Sequence, residues 1–238
     1  MPLSDIEKMR VDKIHRLRSE GIEPYPGRAN RTHTTLQAIR LFEEAEAKAE
    51  TEAIHVTLAG RIRAVRTMGK LAFAHIEDGT GRIQLFLRIN EIGEEQLKHF
   101  ADDFDLGDFI QAEGTLMRTR TGEISLLVLA FKMLAKAVTP LPAAKDEVVD
   151  GQVIKHATLS DPETRYRQRY ADLAVNTEVR EVFKARAAIT RALRKFLDDR
   201  DFIEVETPVL QPIYGGAAAR PFTTFHNQLK QNLYLRIS

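Results

Sequence analysis

The 238-residue chain carries 35 Lys and Arg against 34 Asp and Glu, a formal net charge of +1, with 43% hydrophobic and 29% charged residues. That balance is globular rather than disordered, no apolar run approaches the roughly 18 residues that cross a bilayer, and the lack of cysteine excludes disulfides and thiolate zinc sites. A protein gripping long nucleic acid by its phosphates alone would be more basic, so any such contact has to rest on a local surface, with stacking and base edges contributing.

Met1-Pro-Leu-Ser-Asp-Ile-Glu-Lys8 has no apolar core for a secretion signal, and the expected location is cytoplasmic. Over residues 4–21, Ile6, Met9, Val11, Ile14 and Leu17 recur at helical spacing, and Gly21 closes the run. Pro24 and Pro26 force an extended segment. A second helix, Ala/Glu-rich and solvated, is predicted over about 35–52.

From residue 54 the apolar period falls to two. Ile54, Val56, Leu58 and Ile62 mark a long first strand ending near Arg66, and Leu71–Ile76 is a second. Asp78-Gly-Thr-Gly81 turns the chain into a third strand, Arg82–Ile89. A short helix from Glu94 to Phe104 interrupts, then Gly107–Gly114 and Ile124–Leu134 resume as strands. Three strands, a helix and two strands is the order of an OB-fold, a five-stranded Greek-key barrel that binds oligonucleotides on strands 2 and 3. Pro140 and Pro142, with Ala143-Ala144, read as a linker. Beyond a polar helical stretch, an amphipathic helix is predicted from Thr177, as N-cap, to Asp199. Its stripe is Val179, Val182, Phe183, Ile189, Leu193, Phe196 and Leu197. Phe202–Glu206 alternates as a strand that Pro208 ends.

On such a barrel an exposed aromatic can stack an unpaired base while amide or guanidinium groups read its edge. Phe73 and Gln84 lie on adjacent strands and can share a face, with Arg61, Arg66 and Glu123 nearby. The plainer reading of Phe73 from spacing alone is ordinary barrel core, and His75 has no partner in view. Tyr166-Arg-Gln-Arg-Tyr170 is either a solvated helix face or an RNA contact. Gly215-Gly216 is either a tight turn or a place where backbone approaches a small ligand. Arg220 suits a salt bridge or a phosphate. His226 has no serine or carboxylate partner, so a nucleophilic triad is unsupported.

Seven strings together carry a resemblance: Arg31-Thr-His33, Arg66-Thr-Met-Gly-Lys70, Gly81-Arg-Ile-Gln84, Asp161–Tyr170, Phe202–Pro208, Gly215–Phe222 and Leu233-Tyr-Leu-Arg-Ile237. In this order they resemble the class II lysyl-tRNA synthetases across essentially the whole chain. The fold class so implied is α+β: N-terminal helices over 1–52, an OB-fold anticodon-binding domain over 53–142, linker and hinge helices over 143–176, and an incomplete antiparallel-sheet catalytic domain over 177–238. The barrel would read the U-rich anticodon of a lysine tRNA, with Phe73 stacking, Gln84 on a base edge, and Arg61, Arg66 and Glu123 assisting.

The resemblance also implies that Gly215 and Gly216 contact lysine through their backbone, and that the 177–199 helix builds a homodimer interface that includes Phe183 and Pro208. ATP and Mg²⁺ serve the full-length family, and none is expected on this chain. Two departures stand out: Phe225-His226-Asn227 where the family has two histidines before Asn, and Gln228 where a small or apolar residue is usual. The sequence stops at Ser238, ahead of the family's motifs 2 and 3, so no catalytic residue or metal ligand is assigned and the chain alone is expected not to aminoacylate. A stand-alone tRNA-binding module and a non-catalytic dimerisation partner are the alternatives.

Overall fold

The structure is a computed structural model that describes residues 2–50, 52–142, 145–149, 152–156 and 159–238. Ala143 and Ala144 of the expected linker lie outside the described residues. The chain divides into two compact units, Met1–Asn176 and Thr177–Ser238.

The first unit opens with two helices started by the same device. Helix α1 (Asp5–Ser19) is capped by Ser4 and Glu7, and α2 (Thr35–Ala47) by Thr34 and Gln37, each pair exchanging side-chain and backbone hydrogen bonds. Helix α2 is shorter than its Ala/Glu composition predicts. Helix α1 buries only part of the expected stripe: Ile14 and Leu17 are covered together with Arg10, whereas Ile6 and Met9 are exposed. The reason is polar docking. Arg10 donates to the carbonyls of Ala137 (2.7 Å) and Leu106 (3.1 Å), and Lys13 to Asp105 (3.0 Å), which turns that face inward.

Five strands, β1 (His55–Met68), β2 (Leu71–Glu77), β3 (Arg82–Arg88), β4 (Phe109–Arg118) and β5 (Ile124–Ala135), close into a barrel in the order β1-β2-β3-β5-β4. Helices α3 (Ile89–Ile92) and α4 (Glu94–Asp103) separate β3 from β4. All contacts are antiparallel except β3–β5, whose parallel pairing closes the ring. Alternation decides the core: Ala72, Ala74 and Ile76 of β2 and Ile83, Leu85 and Leu87 of β3 point inward and are buried. Gly114 sits at a register shift in β4, where a Cβ would collide with the Leu127 carbonyl.

Beneath the barrel the Lys136 side chain is fully buried. Its ammonium donates to Asp108 (2.6 Å), to Asp105 (2.5 Å) and to the Asp103 carbonyl (2.7 Å). Burial alone would raise the Asp105 carboxyl, but the bonds from Lys136 and Lys13 outweigh it and hold the group below its ordinary value. The Asp78 turn is as self-contained as its sequence predicts. The Asp78 carboxylate accepts from Thr80 N (2.7 Å) and Gly81 N (3.1 Å), and its second oxygen accepts from Thr35 N (2.9 Å) at the start of α2. Burial pushes this carboxyl up, and the Thr35 and Thr80 donors overcome that push and lower it.

After the barrel, β6 (Lys145–Val149) and β7 (Gln152–His156) form an antiparallel hairpin where a linker and helices were expected. Helices α5 (Pro162–Arg167) and α6 (Arg169–Val175) end the unit. In the second unit α7 spans Thr177–Asp198, so Thr177 is its first helical residue rather than the residue before it. The sheet order is β8-β10-β9, from β8 (Leu210–Gln211), β9 (Thr223–His226) and β10 (Gln231–Leu235). Phe202–Glu206 is not a strand. Its alternation is real, but among the described residues no neighbouring strand pairs with it, and a strand exists only as part of a ladder.

Candidate nucleic-acid interface

The outer face of β2 and β3 is set by one hairpin register. Glu77 lies opposite Arg82 across the turn, which places His75 opposite Gln84 and Phe73 opposite Phe86. All four project away from the core residues that alternate with them. The Phe73 and Phe86 rings stack with centroids 4.7 Å apart and an interplanar angle of 3°. The Arg88 guanidinium lies over Phe86, 5.6 Å from its centroid. Phe73 is thus a surface aromatic backed by a second ring, and the barrel core is filled without it.

These side chains line a groove of about 830 Å³ whose other walls include Arg66 and Met117, with Arg120 from the β4–β5 turn. Arg66 pairs with Phe73 across β1 and β2. Arg66, Arg82, Arg88 and Arg120 give the groove a positive rim although the chain as a whole is nearly neutral. Its floor is polar. Gln84 Nε2 donates to Glu123 at 2.8 Å, His75 Nε2 bonds the other oxygen of the same carboxylate at 2.8 Å, and the Ser125 hydroxyl donates to Gln84 Oε1 at 2.9 Å. An aromatic shelf, fixed donors and acceptors, and a cationic rim are together what an unpaired nucleotide needs: stacking, edge contacts and phosphate neutralisation.

Four of the five barrel residues singled out in the sequence, Arg66, Phe73, Gln84 and Glu123, meet here. Arg61 stands apart. It lies toward the other end of β1, beyond a register shift, with its guanidinium 4.4 Å from the Phe109 ring centroid and 3.4 Å from the Gly107 carbonyl. His75, Phe86 and Ser125 were not among the candidates. The hairpin register would have found the first two, since fixing Glu77 against Arg82 fixes every outward pair above it. Ser125 depends on the parallel closure by β5, which no local pattern announces. The Tyr166–Tyr170 cluster is largely internal bonding: Arg165 and Arg169 hold buried Asp172, and Arg167 bonds Glu163 at 2.8 Å.

The barrel strands match the model of the OB-fold nucleic acid binding domain over residues 56–134, and residues 161–238 match that of the class II tRNA synthetases for Asp, Lys and Asn. Over 239 aligned residues the chain is 52% identical to a lysine-tRNA ligase of Roseiflexus castenholzii and 50% identical to one of Chloroflexus aurantiacus. Each alignment covers 100% of this chain and 46% of the relative. Along its whole length the chain is similar to lysine-tRNA ligases. It spans about half the length of the curated relatives it matches.

Of the residues that the likeness to lysine-tRNA ligases brings into question outside the barrel, Gly215 and Gly216 lie in an exposed loop after β8. Gly216 has φ +93°, a backbone conformation that favours glycine. Phe183 is partly exposed on α7 with the Arg186 guanidinium 5.9 Å from its ring centroid, and Pro208 is exposed. His226 Nδ1 accepts from Leu229 N at 3.1 Å, a local turn contact. Among the described residues no group of three His, Cys, Asp or Glu side chains is arranged to hold a metal, and no helix is long and apolar enough to cross a membrane.

Proposed function

We propose that the protein is an ATP-dependent lysine-tRNA ligase and that, within these 238 residues, the barrel face receives the anticodon loop of a lysine-accepting tRNA. The observation that carries this reading is the Phe73–Phe86 stack set beside the Gln84–Glu123 pair in an arginine-rimmed groove. A base laid on Phe73 continues the stack and brings its edge to Gln84 and Glu123, while Arg66 and Arg120 offset the flanking phosphates. Lysine codons call for U-rich anticodons, and pyrimidine-rich loops unstack at low cost, which suits a single-base shelf.

On the same reading, residues 53–142 are the anticodon-binding domain, 143–176 the hinge, and 177–238 belong to the catalytic domain. There the backbone at Gly215 and Gly216 approaches lysine, and α7 with Phe183 and Pro208 pairs with a second subunit. Support for the pairing is the exposed apolar side of α7, where Val182, Ile189, Leu193 and Phe196 face solvent. Mg²⁺ accompanies ATP in such chemistry by neutralising phosphate charge. The described residues offer no donor set for it, so no step is assigned to the ion here.

The test is titration of a labelled lysine anticodon stem-loop with the 238-residue chain. Phe73→Ala is expected to cost about 1–3 kcal/mol of binding, the loss of one base stack, with the barrel still folded under the conditions of the titration. Gly216→Ala is expected to leave stem-loop affinity unchanged. Equal affinity of the parent chain for the lysine stem-loop and an unrelated one would remove the proposal.

A further inference from the structure

Along β5, Leu126 and Val128 enter the core, so alternation turns Ser125 toward the outer face, where a serine ordinarily meets water. Ser125 is instead completely buried, beside Gln84 in the parallel β3–β5 pairing. Its hydroxyl lies 2.9 Å from Gln84 Oε1 and 3.3 Å from the Glu123 main-chain oxygen. Gln84 itself is 8% exposed.

The bonding has one self-consistent direction. A carboxylate only accepts, so each atom that faces the Glu123 carboxylate is a donor: the Gln84 NH₂ and the His75 Nε2–H. The Gln84 oxygen is therefore turned to Ser125, whose hydroxyl holds it. Gln84 then keeps one N–H beside the lone pairs of Glu123.

We infer that Ser125 is a positioning residue for base choice: by gripping the Gln84 oxygen from behind, it keeps an N–H donor next to the Glu123 acceptor on the groove floor. That pair matches the adjacent carbonyl and imino N–H of uracil. Cytosine in the same pose sets its N3 lone pair against the carboxylate. Without the Ser125 hydroxyl only the Glu123 bond orients the amide, so its N–H is held less firmly and the preference for uracil falls. The inference deepens the proposed anticodon reading and rests on it.

The experiment uses the 238-residue chain and stem-loops that carry uracil or cytosine at each anticodon position in turn. The parent chain prefers uracil at one position, and Gln84→Ala abolishes that preference. Ser125→Ala is expected to shrink the uracil-to-cytosine affinity ratio about three- to tenfold, one hydrogen bond's worth. Ser125→Thr, which keeps the hydroxyl, restores most of the ratio, and Ser125→Ala changes nothing further in a Gln84→Ala background. If Ser125→Ala weakens both stem-loops equally, or only lowers the unfolding midpoint, Ser125 is a packing residue and the inference fails. If Gln84→Ala leaves the parent's preference intact, the failure lies instead with the assignment of this groove to the anticodon.

Discussion

Strand β3 and helix α7 are both amphipathic, yet only the strand has its apolar side covered within its own unit. Ile83, Leu85 and Leu87 are at most 3% exposed, whereas Ile189 and Leu193 of α7 are 61% and 62% exposed. Among the described residues of the second unit, only Val179 and Leu233 are buried. The difference teaches what an apolar pattern specifies. It says that a face is to be buried, and it leaves the partner unstated. For the barrel strands that partner is the opposite wall of the same closed sheet. For α7 it is a surface that its own unit does not provide.

The sharpest way to break that contrast is to attack the charge beneath the barrel. Lys136→Met leaves Asp108 buried without its cation and Asp105 with only Lys13 and Arg10 nearby. Removing one partner of a buried ion network costs about 3–5 kcal/mol, expected as a matching fall in barrel stability by urea unfolding. A loss below about 1 kcal/mol would mean that the carboxylates are hydrated and the barrel floor is open. Next in size is the core itself: Leu85→Ala is expected to cost about 2–5 kcal/mol by cavity formation.

The Asp78 turn sharpens the contrast through pH. Its folded-state carboxyl lies below the ordinary value, so the stability it contributes is present above about pH 4 and is lost as pH falls through the folded value. Asp105 titrates in the same direction for the same reason, its bonds to Lys136 and Lys13 overcoming burial. The barrel is expected to lose stability progressively below about pH 4, as followed by acid titration of its unfolding midpoint. Asp78→Ala should cost about 1–2 kcal/mol at neutral pH through the lost turn and helix-start bonds, and should flatten the acid limb. An unchanged acid limb would show that the turn is not titrating.

What the sequence disclosed follows the same division. The barrel strands are legible because each carries a period of two between strong turn signals, and Asp78-Gly-Thr-Gly81 even fixes the register that sets Phe73 beside Phe86. Ser125 joining Gln84 was not legible, because it depends on a parallel pairing closed across about 40 residues of chain. Arg61 stands apart from the groove because it lies about five residues before Arg66 along β1, opposite Glu77 beside the turn rather than opposite Phe73. Phe202–Glu206 has strand alternation without a strand, since the pattern is local and the ladder is not. Helix α1 misled for another reason: polar anchors at Arg10 and Lys13 overruled the apolar positions Ile6 and Met9.

The smallest expected effect tests the other half of the contrast. Leu193 lies on the outer side of α7, at the mouth of a shallow apolar groove with Leu197 and Phe202. If that side meets only water, Leu193→Ala shifts the unfolding free energy by no more than about 0.5 kcal/mol, as exposed substitutions do. If a second subunit covers α7, the same change weakens association, and the midpoint of the parent chain rises with protein concentration while that of the variant does not. Unfolding measured at two concentrations a hundredfold apart, for both proteins, separates these outcomes. A cost of several kcal/mol at both concentrations, with no concentration dependence, would mean that the helix packs against its own chain and that the two units do not differ in kind.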